Sequence, residues 1–121
     1  MGKLILVVED QEDNRRILRD LLTSSGFEVV EAVNGIEGVR LAKKLIPDLI
    51  LMDIQLPGID GYEATRQIKA KANLASIPII VVTSYALSGD DKKAYDAGCD
   101  EYVAKPFSPR KLLVKVRNFL N

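Results

Sequence analysis

The sequence predicts an α/β fold in which five helices cover a doubly wound, five-stranded parallel sheet. First, short apolar runs alternate with helical patterns along the 121 residues. Second, three of these runs are continuously apolar, which is typical of strands buried on both faces: Leu4–Val8, Leu49–Met52 and 79–82. Third, the other two runs, 27–33 and Glu101–Ala104, alternate only in part or are short, which favours the sheet edges. With right-handed crossovers, these edges predict the strand order 2-1-3-4-5.

The first two predicted helices each carry an apolar stripe at helical spacing. Helix 13–24 is expected to bury Ile17, Leu18, Leu21 and Leu22 and to expose Arg15, Arg16 and Arg19. Gly26 is the expected stop of this helix. Helix 35–46 is expected to bury Ile36, Val39, Ala42 and Ile46, and Pro47 ends it.

The other three helices are predicted mainly from their end signals. Helix 61–72 begins after Asp60, a suitable N-cap. Helix 88–97 has Ser88 and Asp91 in capping-box spacing, and it ends before Gly98. The last helix begins at Ser108-Pro109, a capping hydroxyl followed by proline. Its expected buried residues are Leu112, Leu113, Val116 and Leu120.

The composition excludes several classes of function. Basic and acidic residues number 17 each, which argues against a dedicated nucleic-acid-binding protein. Histidine is absent, which excludes histidine general bases, histidine metal ligands and an internal phosphohistidine. The single cysteine, Cys99, excludes an intrachain disulfide. Because no run approaches the about 18 apolar residues of a membrane span and no signal-peptide pattern occurs, we expect one cytoplasmic domain spanning residues 1–121.

Polar residues follow four of the predicted strands. In chain order they are Glu9 and Asp10, then Asp53, then Thr83, then Lys105. In a parallel sheet these ends lie at one edge, which is where open α/β sheets bind their ligands. Mg²⁺ prefers oxygen ligands and needs only one or two carboxylates. We expect Asp10 and Asp53 to bind the ion directly, Glu9 to bind it through water, and the Gln55 backbone carbonyl to complete the protein ligands.

Asp53 is the predicted nucleophile, because a carboxylate can accept a phosphoryl group as an acyl phosphate. Phosphoryl transfer depends mainly on positioning and on neutralising the charge of the phosphoryl oxygens. We expect magnesium to hold one of these oxygens, the Lys105 ammonium a second and the Thr83 hydroxyl a third. The small side chain of Ser84 leaves room for the donor.

Each of these residues also has an ordinary structural explanation. Asp10 could cap a helix, and Asp53 could belong to the turn that follows it. Thr83 could simply end a strand, and Lys105 could be solvated. The functional interpretation therefore depends on the joint occurrence of these residues at four strand ends.

In these motifs the chain resembles the response-regulator receiver domain of two-component signalling, of the chemotaxis-regulator-like, single-domain kind. The matching motifs are VVED around Glu9 and Asp10, LILMDIQLPGIDG around Asp53, VVTS around Thr83 and YVAKPF around Lys105. The resemblance implies a flavodoxin-like sheet, with Asp53 as the phosphoacceptor and with Glu9 and Asp10 in the magnesium site. It also implies that Thr83 is the switch hydroxyl and that Lys105 contacts the phosphoryl group.

The resemblance further implies a switch and two kinds of protein partner. On phosphorylation, Thr83 would move toward the phosphoryl group, and Tyr102 would turn inward and change the face made by helix 4, strand 5 and helix 5. A histidine kinase or a histidine phosphotransfer protein would supply the phosphoryl group, and a downstream protein partner would bind the changed face. The donor is expected to dock on Asn14, Arg15, Leu18 and the Pro106-Phe107 loop. Neither nucleic acid nor a membrane is an expected partner, and no effector domain is expected after the last helix.

Two other functions remain open. One is a phosphatase with an aspartyl nucleophile, but such enzymes usually carry a second Asp two residues later, where this chain has Gln55. The other is a binding module that has kept the fold and lost phosphorylation, and the intact set of acids, threonine and lysine argues against it. We therefore expect no enzymatic activity beyond phosphorylation and dephosphorylation of Asp53 itself. Flavin binding is disfavoured, because no Ser/Thr/Gly-rich phosphate loop follows the first strand.

Overall fold

The computed structural model of the chain describes residues 2–83, 90–105 and 107–120. Its strands form one parallel sheet in the order β2-β1-β3-β4-β5, which confirms the predicted topology. The strands are β1 Leu4–Val8, β2 Glu28–Ala32, β3 Leu49–Met52, β4 Ile79–Thr83 and β5 Glu101–Ala104. The three continuously apolar runs became the three central strands, in which all residues but Leu4 are fully buried. The switch point of the sheet therefore lies between β1 and β3.

Helices cover both faces of the sheet. They are α1 Glu12–Ser24, α2 Gly35–Leu45, α3 Gly61–Lys69, α4 Asp90–Ala97 and α5 Pro109–Leu120. One core cluster joins the sheet to α1 and α5, and the other joins it to α2, α3 and α4. No helix among the described residues combines the length and the apolar character that crossing a membrane requires.

Local signals fix most helix ends. Asp60 Oδ1 accepts a hydrogen bond from the Glu63 N–H at 2.9 Å, which confirms the predicted N-cap of α3. Gly26 and Gly98 have φ angles of 94° and 110°, left-handed values that suit glycine at helix ends. The predicted C-terminal end of α3 was wrong, because the helix ends at Lys69 rather than at residue 72. The proposed cap Ser88 lies outside the described residues.

The buried stripes of α1 and α2 are narrower than predicted. Ile17 is 54% exposed, because it lies about 100° around the helix axis from the buried Leu18. The buried residues of α2 follow the spacing i, i+3, i+4, i+7, and this series begins at glycine: Gly35, Gly38, Val39 and Ala42. Ile36 therefore points away from the core and is 62% exposed. Ile46 lies beyond the helix in a left-handed conformation and is 53% exposed.

Candidate functional site at the carboxyl edge of the sheet

Backbone hydrogen bonds continue past the last residues of the strands and hold the polar residues at one edge. The Glu9 N–H donates to the Ala32 carbonyl at 3.0 Å, and the Asp53 N–H donates to the Val8 carbonyl at 3.0 Å. On the far side, the Lys105 N–H donates to the Thr83 carbonyl at 2.7 Å. The strand pairing thus aligns the ends of four strands, as the sequence predicted.

Three carboxylates meet at this edge. Oxygens of Glu9, Asp10 and Asp53 all lie within 4.8 Å of one another. Glu9 is 1% exposed and Asp53 is 8% exposed, whereas Asp10 is open to solvent. The cluster is therefore closed by the sheet on one side and accessible to an ion or a phosphoryl donor on the other.

The Lys105 ammonium contacts two of these carboxylates. Its Nζ lies 2.7 Å from Glu9 Oε1 and 3.6 Å from Asp53 Oδ2. Glu9 also accepts a hydrogen bond from the Gln11 N–H through its other oxygen, at 3.1 Å. Three carboxylates and one ammonium leave two negative charges in excess when all are ionised. A divalent cation would cancel that excess, and an all-oxygen set of this kind suits Mg²⁺.

The surroundings of Asp10 change its pKa. Its pKa is raised, first because the carboxylate loses part of its hydration in the fold and then because the Glu9 carboxylate lies beside it. Lys105 opposes this effect only weakly. A cation placed among the three carboxylates would reverse the balance and favour the ionised form of Asp10.

The Asp53 carboxylate is held by its own loop. Its Oδ1 accepts a hydrogen bond from the Ile54 N–H at 2.7 Å, while Oδ2 faces Lys105. The Ile54 carbonyl in turn accepts from the Gly61 N–H at 2.8 Å, which fixes the loop to the start of α3. A Cβ at Gly61 would collide with the Asp53 carbonyl oxygen, so only glycine allows this close approach.

Arg15 is a site residue that the sequence analysis misplaced. It was predicted to face solvent, but its side chain is 16% exposed and its Nη1 donates to the carbonyls of Glu9 and Asp10 at 3.0 and 3.2 Å. Its Nε pairs with Glu31 of β2 at 3.2 Å. A basic residue one turn into the helix that follows the acidic pair, with a glutamate on the neighbouring strand, is the signal that could have indicated this role.

The remaining predicted site residues lie nearby or outside the described part of the chain. Thr83 is fully buried at the end of β4, and Tyr102 of β5 is partly buried against the core. Gln55 is exposed in the loop after Asp53. Ser84 and Pro106 lie outside the described residues. Leu18 is 3% exposed and belongs to the core, which confirms the burial predicted from the helix pattern and contradicts only its expected role in docking a donor.

The fold and this edge together define a CheY-like signalling domain, and comparisons with known proteins agree. The family model for the response regulator receiver domain matches residues 5–117. The polar-differentiation response regulator DivK of Brucella anthropi is 41% identical over 120 residues, which cover 99% of this chain and 98% of the relative. The chain belongs to the response regulator receiver domain family of two-component signalling.

Solved structures show the same fold. The receiver domain of a sensor histidine kinase from Pseudomonas aeruginosa, which has a magnesium ion coordinated in its active-site cleft, is 40% identical with a TM-score of 0.93. The match covers 99% of this chain and 98% of that one. A CheY-like receiver domain protein from Methanospirillum hungatei is 31% identical with a TM-score of 0.90, over 99% of this chain and 94% of that one.

Proposed function

We propose that this receiver domain is a magnesium-dependent phosphoacceptor and that Asp53 carries the phosphoryl group. The observation that supports this most is the convergence of the Lys105 ammonium with the carboxylates of Glu9, Asp10 and Asp53 at the switch point of the sheet. Bringing an acid cluster and an amine together out of water costs free energy, and a ligand that contacts both would offset that cost. A phosphoryl group with a divalent cation is such a ligand.

The proposed reaction is a transfer of one phosphoryl group between two proteins. An Asp53 carboxylate oxygen attacks the phosphorus of a phosphohistidine on the donor, an O–P bond forms, and the donor's N–P bond breaks. The electron pair of that bond leaves on the imidazole nitrogen, and a proton carried by the other ring nitrogen or taken from solvent leaves the donor with a neutral histidine. These 121 residues contain no histidine, so the phosphohistidine lies outside this receiver domain, and the proposed donor is a histidine kinase or a histidine phosphotransfer protein.

The chain's own residues position and neutralise the reacting groups. Asp10 and Asp53 would hold Mg²⁺ directly, Glu9 would act through water, and the Gln55 carbonyl would complete the protein ligands. The bound ion would supply charge neutralisation at one phosphoryl oxygen. The Lys105 ammonium would neutralise a second oxygen, and the Thr83 hydroxyl would hydrogen-bond the third.

The same proposal includes a switch. The Lys105 N–H donates a hydrogen bond to the Thr83 carbonyl. Tyr102 lies on β5, the strand next to β4, and pairs in register with Val81. A movement of Thr83 toward the phosphoryl group would therefore be transmitted to the packing of Tyr102 and to the face of α4, β5 and α5. A downstream protein partner would bind this face better in one of the two states.

Intact-mass spectrometry tests the phosphoacceptor role. The protein is incubated with a small acyl phosphate donor and Mg²⁺, and we expect the mass of one phosphoryl group to be added. Asp53→Asn should abolish this addition, and a metal chelator should suppress it. Asp13→Asn is the matched control, because the Asp13 side chain is 86% exposed and lies outside the cluster.

Two further assays on the same protein, phosphatase activity and labelling by a phosphorylated kinase, separate the two alternative functions. Sustained release of phosphate from an unrelated phosphate ester would favour a phosphatase. No labelling of the wild-type protein by a small donor or by a phosphorylated histidine kinase would favour a binding module without phosphorylation.

A further inference from the structure

A groove lies between α2 and α3, on the side of the molecule away from α1 and α5. Its volume is about 690 Å³, which is within the size range of ligand-binding pockets. Seven residues line it: Ile36, Val39, Arg40, Lys43, Lys44, Ile59 and Gln67. None of the proposed phosphorylation residues belongs to this lining.

The apolar part of the groove is accessible to a partner. Ile36 is 62% exposed, which makes it the most exposed large apolar side chain in the described part of the chain. Val39 in the same lining is buried, and Ile59 is partly buried. Gly35 has space only for hydrogen next to Ile59, since a Cβ would approach the Ile59 side chain and carbonyl to 2.7 Å. This close packing fixes one wall of the groove, so the surface is preformed.

All the charged side chains that line the groove are cationic, and none of them has a counter-ion in the part of the chain that the structure describes. Arg40, Lys43 and Lys44 make no ion pair and no side-chain hydrogen bond with any residue that the structure describes. On the α3 side of the groove, Glu63 is already bonded to Arg66 and Gln67 at 3.1 Å each. Those bonds lower the pKa of Glu63. Lys43 and Lys44 lie in the last turn of α2, where the helix dipole stabilises positive charge. Arg40 lies one turn earlier, so the dipole does not explain a cation at that position.

We propose that this groove docks an acidic amphipathic helix of another protein. Apolar side chains of that helix would cover Ile36, Val39 and Ile59, and its flanking carboxylates would pair with Arg40, Lys43 and Lys44. The lining side chains come mainly from the neighbouring helices α2 and α3. An amphipathic helix that lays its apolar face into a groove of this kind is a common mode of peptide recognition. Because the chain as a whole has no net charge, the excess of cations at this groove is local and complementary to an acidic partner.

Selection from a displayed library of random peptides tests the proposal. The wild-type protein is the bait, and we expect enriched peptides to combine Asp or Glu with apolar residues at i, i+3, i+4 and i+7 spacing. Titration of two enriched peptides into ¹⁵N-labelled protein should shift the amide signals of the groove residues. A selection that yields no binder, or one that enriches peptides without acidic residues, would overturn the proposal.

Matched variants separate the groove from general electrostatics. Arg40→Glu with Lys43→Glu and Lys44→Glu should reduce affinity for the enriched peptides at least tenfold. Lys71→Glu with Lys93→Glu and Lys111→Glu changes the net charge equally at exposed sites elsewhere and should reduce it less than threefold. Circular dichroism melts establish that both variants are folded.

A single substitution tests the apolar contact. Ile36→Ser should weaken peptide binding, whereas Ile17→Ser should not, although Ile17 is exposed to a similar extent, 54%. A membrane surface is the other possible occupant of a basic, apolar groove. Sedimentation with anionic phosphatidylserine vesicles that depends on Arg40, Lys43 and Lys44, without peptide binding at the same residues, would contradict the proposed protein partner.

Discussion

The ammonium of Lys105 lies 2.7 Å from Oε1 of Glu9, although the two residues are 96 positions apart in the sequence. The Glu9 side chain is 1% exposed and that of Lys105 is 12% exposed, so the pair is nearly buried. Lys105 reaches Asp53 only at 3.6 Å. Without a ligand at the site, Lys105 is thus chiefly the counter-ion of Glu9, and a phosphoryl group on Asp53 would compete for it.

The first prediction concerns this pair. Lys105→Met should destabilise the metal-free protein by about 3 kcal/mol, because it leaves a buried carboxylate without a counter-ion. Urea unfolding measures the loss. In the Glu9→Gln background the same substitution should cost much less. Lys92→Met is the control, because Lys92 pairs with Asp96 on the surface and should cost about 0.5 kcal/mol or less. Equal costs for the two lysine variants would contradict a buried pair at the site.

The second prediction concerns Asp10, whose pKa is raised by partial loss of hydration and by Glu9. Because the folded protein binds the Asp10 proton more tightly than the unfolded chain, ionisation of Asp10 lowers stability as pH rises through the interval between the two pKa values. Asp10→Asn should therefore raise the melting temperature of the metal-free protein near neutral pH. The gain should shrink as the pH falls and the wild-type carboxyl becomes protonated.

Magnesium provides the complementary measurement on the same variant. Mg²⁺ should raise the melting temperature of the wild-type protein, because it binds the folded state, and should raise that of Asp10→Asn much less. Asp13→Asn should respond as the wild type does. An unchanged wild-type melt across a wide magnesium titration would count against the site.

The third prediction concerns Glu101 of β5. Burial alone would raise its pKa, but hydrogen bonds from the Tyr102 N–H at 3.1 Å and the Tyr95 hydroxyl at 3.1 Å act in the opposite direction. The Lys115 ammonium at 3.3 Å adds to them, and the pKa of Glu101 is lowered. The resulting stabilisation is present above the unfolded pKa and is lost as the pH falls through the folded pKa.

Glu101→Gln tests whether ionised Glu101 stabilises the folded protein. At pH 7 the variant should be less stable by about 1 kcal/mol, as expected for lost hydrogen bonds to a charged group. The difference should shrink as the pH falls from the unfolded pKa through the lowered folded pKa, where the wild-type carboxyl becomes protonated. Glu12→Gln, at an exposed position in the first turn of α1, serves as control. A stability difference between Glu101→Gln and the wild type that grows as the pH falls would contradict a lowered pKa of Glu101.

The fourth prediction concerns the close approach of α3 to the Asp53 loop. Gly61→Ala should destabilise the protein by about 2 to 3 kcal/mol, because its Cβ would collide with the Asp53 carbonyl. Gly26→Ala should cost only about 1 kcal/mol, since Gly26 has a φ of 94° but open space around it. Urea unfolding of the two variants measures the difference. Equal costs would mean that the backbone at Gly61 shifts easily.

The order of the strands and the edge that carries the acids could be predicted because they depend on regular patterns. Continuous apolar runs mark central strands, and parallel strands bring their carboxyl ends to one edge. The convergence of Glu9, Asp10 and Asp53 follows from that geometry, and the structure places their oxygens within 4.8 Å.

Side-chain partners at helix surfaces could not be predicted in the same way. Arg15 looks like an exposed helix residue in the sequence, but its guanidinium contacts two backbone carbonyls and Glu31, which only the packing of α1 against β2 brings together. Ile17 and Ile36 were expected in the core because residues at the margin of an apolar stripe are ambiguous by spacing alone. Their exposure of 54% and 62% depends on the rotation of each helix on the sheet.

Localisation of the phosphoryl group tests the central claim most directly. The protein is phosphorylated by a small acyl phosphate donor with Mg²⁺, reduced with borohydride so that a phosphorylated aspartate becomes homoserine, digested and sequenced by tandem mass spectrometry. Homoserine at position 53, and its absence when magnesium is omitted, is the predicted result. Homoserine at position 10 or at another aspartate, with residue 53 unmodified, would contradict the proposed site.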